Sequence, residues 1–197
     1  MNKTFPVYTV ETECQDCYKC LRHCPVKAIK VEQGRAEVIP GACIACGRCV
    51  EVCPASAKHI RDDLGRAKFL MERKPRVFIS LAPSYAAAFP RVPAEALIHV
   101  LKKLGAAGVS ETALGAERVN REVAAQLDGS PNRLHLSTAC PVAVDYVCKY
   151  MPAMAEALTP TLSPMLAHGK FLRETYGEDI GIIFIGPCIA KKCESDE

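Results

Sequence analysis

CQDCYKCLRHCP (residues 14–25) and CIACGRCVEVCP (residues 43–54) are two copies of one pattern, C-x-x-C-x-x-C-x-x-x-C-P, offset by 29 residues. They hold eight of the twelve cysteines in the chain. The N-terminal residues MNKTFPVYTVETEC contain no apolar run of signal-peptide length, and nowhere do about 18 apolar residues follow one another, so the sequence reads as cytoplasmic and without a membrane span. Thiols in that compartment stay reduced, and dense spacings there point to metal rather than to a disulfide framework. A pair of structural zinc sites is the plain alternative. Zinc favours two C-x-x-C pairs around one tetrahedral ion, whereas a third cysteine two residues on and a fourth before proline suit a cubane cluster better.

The run resembles that of two-cluster bacterial ferredoxins, in which the fourth cysteine of each copy ligates the cluster of the other. The resemblance implies two 4Fe-4S clusters, one on Cys14, Cys17, Cys20 and Cys53, the other on Cys43, Cys46, Cys49 and Cys24. Between the copies, VKAIKVEQGRAEVIPGAC (26–43) has the pattern of two short strands about a Gln33-Gly34 turn, with Ile29, Val31, Ala36 and Val38 on one side. Residues 1–60 thus form an α+β two-cluster module too small to bury much apolar area, and bound clusters would contribute much of its stability.

Residues 61–75 read as a linker helix, with Leu64, Ala67, Phe69 and Leu70 at helical spacing. From Val77 onward cysteines thin out and apolar strands alternate with amphipathic helices. Strands are expected at 77–84, 108–112, 134–140 and 179–186, with helices over about 93–105, 115–127, 142–150 and 164–176. That rhythm predicts an α/β lobe over 76–197 with a mainly parallel sheet, whose ligands sit beyond the strand carboxyl ends. Cys140 and Cys188 each follow an expected strand and adjoin a proline, so both are candidate ligands of one pocket. Cys148 and Cys193 read as plain thiols, and His23, His59, His99, His135 and His168 are scattered, His23 beside Cys24 reading as a solvated surface histidine ahead of a side chain that hydrogen-bonds a cluster.

LAPS (81–84), TACP (138–141), SP (163–164) and GPCIAKK (186–192), behind a dicluster module, resemble the N-terminal part of an iron-only (FeFe) hydrogenase, nearest its sensory branch. The resemblance implies that Cys140 and Cys188 are two of four cysteines holding the cube of an H-cluster, a 4Fe-4S cluster bridged to a two-iron unit carrying carbon monoxide and cyanide. It implies that Lys191 hydrogen-bonds a cyanide, as an ammonium suits an anion in a dry pocket, and that Pro83, Ser84 and Pro164 line that pocket. Ala139 stands where catalytic members carry the proton-relaying cysteine, and a methyl group transfers no proton. Gly186 stands where they usually carry methionine. The other two cube ligands lie downstream in the family, and the sequence ends nine residues past Cys188, so a truncated H-cluster domain is expected.

A net charge of +3, with eight Lys/Arg against six Asp/Glu in residues 1–60, gives no case for nucleic acid. The resemblance implies a redox partner protein or a downstream signalling domain, with dihydrogen as the small-molecule partner. Three functions fit: a dihydrogen-sensing or slowly interconverting hydrogenase-type protein, a plain dicluster electron carrier with a docking lobe, and a hydrogenase-like iron–sulfur assembly factor lacking the two-iron unit.

Overall fold

The computed structural model describes residues 5–10, 13–130 and 132–196. In chain order the first elements are β1 (Val7–Thr9), α1 (Lys19–His23), β2 (Ile29–Glu32), β3 (Arg35–Val38), α2 (Arg48–Glu51) and β4 (Lys58–Ile60). There follow α3 (Leu64–Arg73), β5 (Val77–Leu81), α4 (Tyr85–Ala88), α5 (Ala94–Lys103), β6 (Gly108–Glu111) and α6 (Ala113–Gly129). The last are α7 (Pro141–Tyr150), α8 (Pro164–Tyr176), β7 (Gly181–Ile185) and α9 (Lys191–Glu194). The architecture is mixed α and β in two compact units.

The first unit contains the cysteine repeat through Asp62, together with Pro141–Ala155 and the residues from Cys188. Its backbone follows the sequence repeat. β2 and β3 form the expected antiparallel hairpin, closed by Gln33 and Gly34 at φ 51° and 74°, the left-handed pair that a tight two-residue hairpin turn requires. β1 pairs antiparallel with β4, a pairing absent from the sequence reading. A shift of 29 residues carries the partners Val7 and Ile60 onto Ala36 and Val31, which are themselves partners. The Val10 N–H donates to the Ala57 carbonyl just as Ile39 donates to Ala28, both at 2.9 Å. Val7, Val26, Ala28, Ile29 and Ala36 form the core with the buried cysteines, and Val142 and Ile189 pack against it.

α7 and the final segment are tied into this unit by specific contacts. Lys149 Nζ donates to the Cys43 carbonyl at 2.7 Å, and the Tyr150 hydroxyl donates to the Ala42 carbonyl at 2.6 Å. Arg61 Nη1 pairs with Asp196 Oδ2 at 2.6 Å, both side chains largely buried.

The second unit, Asp63–Cys140 and Glu156–Pro187, is built on a three-stranded parallel sheet in the order β6-β5-β7. Every residue of the central strand VFISL is buried, as expected for a parallel strand covered on both faces. α8 starts where its sequence says it should: Ser163 Oγ accepts from the Leu166 N–H and Pro164 occupies the first turn. α6 and α8 touch at Gly115, where a Cβ would fall 2.7 Å from His168 Cβ and against the Pro164 carbonyl.

Two expectations are corrected. LHLSTAC is no strand of the sheet: Leu136 makes one isolated parallel bridge to Leu158, and the Thr138 hydroxyl bonds with Thr159 and Thr161, side-chain bonding that competes with a ladder. Cys140 therefore does not follow a sheet strand. In α3, Leu64 and Phe69 are 67% and 53% exposed, so the helix does not bury the stripe its spacing suggested. His168, one of five histidines scattered in the sequence, is wholly buried, at 0% exposure.

Candidate iron–sulfur and hydrogenase-type sites

Cys14, Cys17, Cys20 and Cys53 line one cavity with Gln15, Tyr18, Ala57 and Lys58. Three of these cysteines come from the first copy and the fourth from the second. Among the described residues no three His, Cys, Asp or Glu side chains gather as they would around a single metal ion; the cysteines stand apart around a cavity. Electrostatics places Cys20 with Cys53 and Cys14, and Cys43 with Cys46 and Cys24, while Cys49 also feels Cys20. Burial pushes the Cys20 thiol up, the Lys58 ammonium pulls it down, and Cys53 and Cys14 add to the rise. Burial likewise raises Cys43, opposed by the Ala45 amide, with Cys46 and Cys24 as its thiol neighbours. Cys49 is pushed up to about 11, first by burial and further by Cys43, Cys46 and Cys20, against the pull of Lys58.

The loops that present these thiols carry left-handed backbone at repeat-related positions. Asp16 and Ala45 have φ 50°, Tyr18 and Gly47 φ 57° and 81°, and Lys27 and Ser56 φ 55° and 52°. Non-glycine residues hold such angles only where their surroundings over-determine them. Alternating hands turn successive N–H groups toward one concave side, an arrangement that suits an anionic group. Amides already donate to sulfur: Ala28 N to Cys24 Sγ at 3.2 Å and Ala45 N to Cys43 Sγ at 3.3 Å. Four thiols around one cavity, with left-handed turns in their C-x-x-C spacings, form a donor set and cradle that fit a 4Fe-4S cube, and the two amide–sulfur bonds lie on Cys24 and Cys43 of the other set.

Residues 75–197 match the family model described as iron only hydrogenase large subunit, C-terminal domain. The chain belongs to that family. Residues 6–54 match the 4Fe-4S dicluster domain, so this hydrogenase-family chain has a dicluster domain ahead of a hydrogenase-like domain. It is similar over 51 residues, at 43% identity, to a component of an ion-translocating oxidoreductase complex of Methanosarcina acetivorans, covering 26% of this chain and 19% of that protein. Over 79 residues it is 34% identical to a component of an NADH-quinone oxidoreductase of Geobacter metallireducens, covering 35% and 59%. A Streptomyces griseus ferredoxin matches at 34% over 58 residues, 28% of this chain and 55% of that one. The chain thus spans from about a fifth to about three-fifths of these relatives.

The hydrogenase-type residues fall as follows. Pro83 and Ser84 are exposed and follow β5 after Ala82, Ser84 standing at the N-cap position of α4 without a side-chain capping bond. Gly186 follows β7, whose carboxyl end is tied to that of β5 by the Ala82 N–H donating to Ile185; a Cβ on Gly186 would meet the Phe184 ring at 2.5 Å and Ala82 at 3.0 Å. Pro164 opens α8 beside Gly115. Cys140 is exposed and is the last residue of its segment of the second unit; Cys188 is half-buried and opens the final segment of the first. Lys191 Nζ pairs with Glu194 Oε2 at 3.1 Å. Ala139 places a methyl group before Cys140. Among the described residues no helix is long and apolar enough to cross a membrane.

Two residues escaped the sequence reading. His168 bonds to Ser80 Oγ through Nδ1 at 2.8 Å and to Ser110 Oγ through Nε2 at 2.9 Å, which locks α8 onto β5 and β6; burial lowers its pKa. Lys58 is buried beside the cysteines, and the signal that could have found it is the repeat itself, which places it opposite Ile29.

Proposed function

We propose that this chain is a hydrogenase-type redox protein of the sensory kind, in which Cys14, Cys17, Cys20 and Cys53 hold one 4Fe-4S cluster and Cys43, Cys46, Cys49 and Cys24 the other. The observation that carries the reading is the single cavity shared by three first-copy cysteines and Cys53. A bound 4Fe-4S cluster supplies one-electron chemistry. The chain's own contribution is to hold the thiols in that arrangement, bury half of them and donate backbone amides to sulfur.

Cys140 and Cys188 are proposed as cube ligands of a hydrogenase-type site, with Lys191 as its cation and Pro83, Ser84 and Pro164 along its wall. Ala139 supports sensing or slow dihydrogen–proton interconversion over rapid turnover, because the residue beside Cys140 has no proton to move. Relatives named as parts of oxidoreductase complexes support a protein redox partner. After maturation with a source of the two-iron unit together with its carbon monoxide and cyanide ligands, infrared spectroscopy of the protein is expected to show carbonyl and cyanide stretches; their absence refutes the hydrogenase-type site.

A second reading, a dicluster electron carrier with a docking lobe, is favoured by the ion pair that already engages Lys191. Iron counting separates the two. About eight irons, two four-iron cubes, favours the carrier, and clearly more favours a third cluster.

A further inference from the structure

The two copies of the cysteine pattern agree in strand register and loop hand, and at one position buried in both they differ in charge. The 29-residue offset places Lys58 where the first copy has Ile29, each being the first residue of its strand. Both are buried, Ile29 at 6% and Lys58 at 4% exposure. Burying an ammonium in place of a butyl chain costs free energy unless its protons are taken up. Lys58 Nζ donates to Thr9 Oγ1 and to the Ala36 carbonyl, both at 2.5 Å. Thr9 Oγ1 in turn donates to that carbonyl at 2.6 Å, so the lysine is anchored at two points. The same side chain lines the cavity of Cys14, Cys17, Cys20 and Cys53.

We propose that Lys58 is a positioning charge that makes the cluster bound by Cys14, Cys17, Cys20 and Cys53 easier to reduce than its repeat-related twin. The inference rests on the ligand assignment given above. Each reduction adds one electron from the electrode, with no covalent bond formed or broken, and leaves the site one unit more negative. A fixed cation in a low-dielectric wall stabilises that extra charge far more than an exposed one would. The cavity that Lys58 lines is the one formed by Cys14, Cys17, Cys20 and Cys53. An otherwise symmetric module thereby acquires two unequal potentials and a preferred direction for an electron.

The test is a redox titration of the iron-loaded chain, followed by electron paramagnetic resonance or by voltammetry. K58M and K58I remove the charge, K58I restoring the residue type of the first copy; K58R keeps it. K30M is the control, because Lys30 is 40% exposed and bonded to Glu32 and Glu37. In K58M and K58I one couple is expected to move to more negative potential by about tenfold in its reduction equilibrium, roughly 59 mV for one electron. The other couple moves less, and K58R and K30M stay near the wild type. Eight irons with unmoved couples in K58M or K58I overturn the inference alone. Far fewer irons in the wild type overturn the ligand assignment and the inference with it. If both neutral variants fail to load iron while K58R loads, Lys58 is a structural residue and the inference is equally overturned.

Discussion

Gly47→Ala tests whether the cysteine loops owe their shape to backbone that a side chain adopts only at a cost. Gly47 caps α2 at φ 81°, ψ −5°, a region in which an L side chain costs about 1–2 kcal/mol. A Cβ there would stand 2.7 Å from Ile189 Cδ1, and such overpacking adds about 1–3 kcal/mol. Because the obstructing atom is the end of a side chain that can turn, the lower half of the combined range applies, about 2–3 kcal/mol. Tyr18 is the matched control. It caps α1 at φ 57°, ψ 8°, already with a Cβ, and its hydroxyl makes an exposed bond to Asp16 at 3.2 Å. Tyr18→Gly removes the left-handed cost and gives part of it back as unfolded-chain entropy, about 0.4–1 kcal/mol. Urea unfolding of the iron-loaded protein, followed by circular dichroism, reads both. With a slope of about 1–3 kcal/mol per molar, Gly47→Ala is expected to lower the midpoint by about 1 M or more, and Tyr18→Gly to hold or raise it. Adding Ile189→Ala to Gly47→Ala should recover the overlap contribution and leave the conformational one. A Gly47→Ala midpoint equal to that of the wild type refutes the reasoning.

Exchange of the fourth ligand between copies gives an epistasis pattern. Cys53→Ser is expected to halve the iron content to about four per chain, Cys53→Ser with Cys14→Ser to lose no more, and Cys53→Ser with Cys43→Ser to lose nearly all; equal losses in the two doubles contradict the shared cavity. At the α6–α8 contact, Gly115→Ala gains about 1 kcal/mol of helix propensity but forces backbone apart, and a net loss of about 1–3 kcal/mol is expected in thermal unfolding; a stabilised variant shows that the contact is looser. His168 has its pKa lowered by burial. The unfolded chain takes up a proton below about pH 6.5 while the buried ring resists, so its contribution is complete above that pH and is lost as pH falls through the depressed folded value. His168→Asn is expected to flatten the acid side of a stability–pH profile, and an unchanged slope there assigns the acid sensitivity elsewhere.

What could be read from the sequence was local. The hairpin at Gln33-Gly34, the buried run VFISL and the Ser-Pro start of α8 each follow from a few adjacent residues whose period or turn chemistry has one cheap outcome. What escaped depends on partners distant in sequence. β1 is three residues long and finds β4 across some fifty residues, with no distinctive pattern of its own. His168 looks like any histidine on a helix until Ser80 and Ser110 arrive from two strands to satisfy both ring nitrogens. LHLSTAC alternates like a strand, yet Thr138 spends its hydroxyl on Thr159 and Thr161, and only Leu136 bridges. α7 has an ordinary amphipathic pattern that names no partner; Lys149 and Tyr150 at its end, reaching the carbonyls of Cys43 and Ala42, assign it to the cysteine unit.

The repeat also separates what the fold requires from what distinguishes one copy from the other. Positions that agree under the 29-residue shift, such as Asp16 with Ala45 and Lys27 with Ser56, share a backbone hand while their side chains differ in charge and size. Side-chain identity therefore does not set the loop; the cysteines and the hydrogen bonds at Ala28 and Ala57 do. Positions that share burial but differ in chemistry carry the asymmetry, and Ile29 against Lys58 is such a pair within the core. A cation there must be held against its own desolvation by Thr9 and the Ala36 carbonyl, groups that belong to β1 and β3. The β1–β4 and β2–β3 ribbons are thus coupled through one buried side chain. A substitution that neutralises it is expected to be felt electrostatically at the thiols before it is felt in the fold, since Ile29 shows that the site accepts an aliphatic chain.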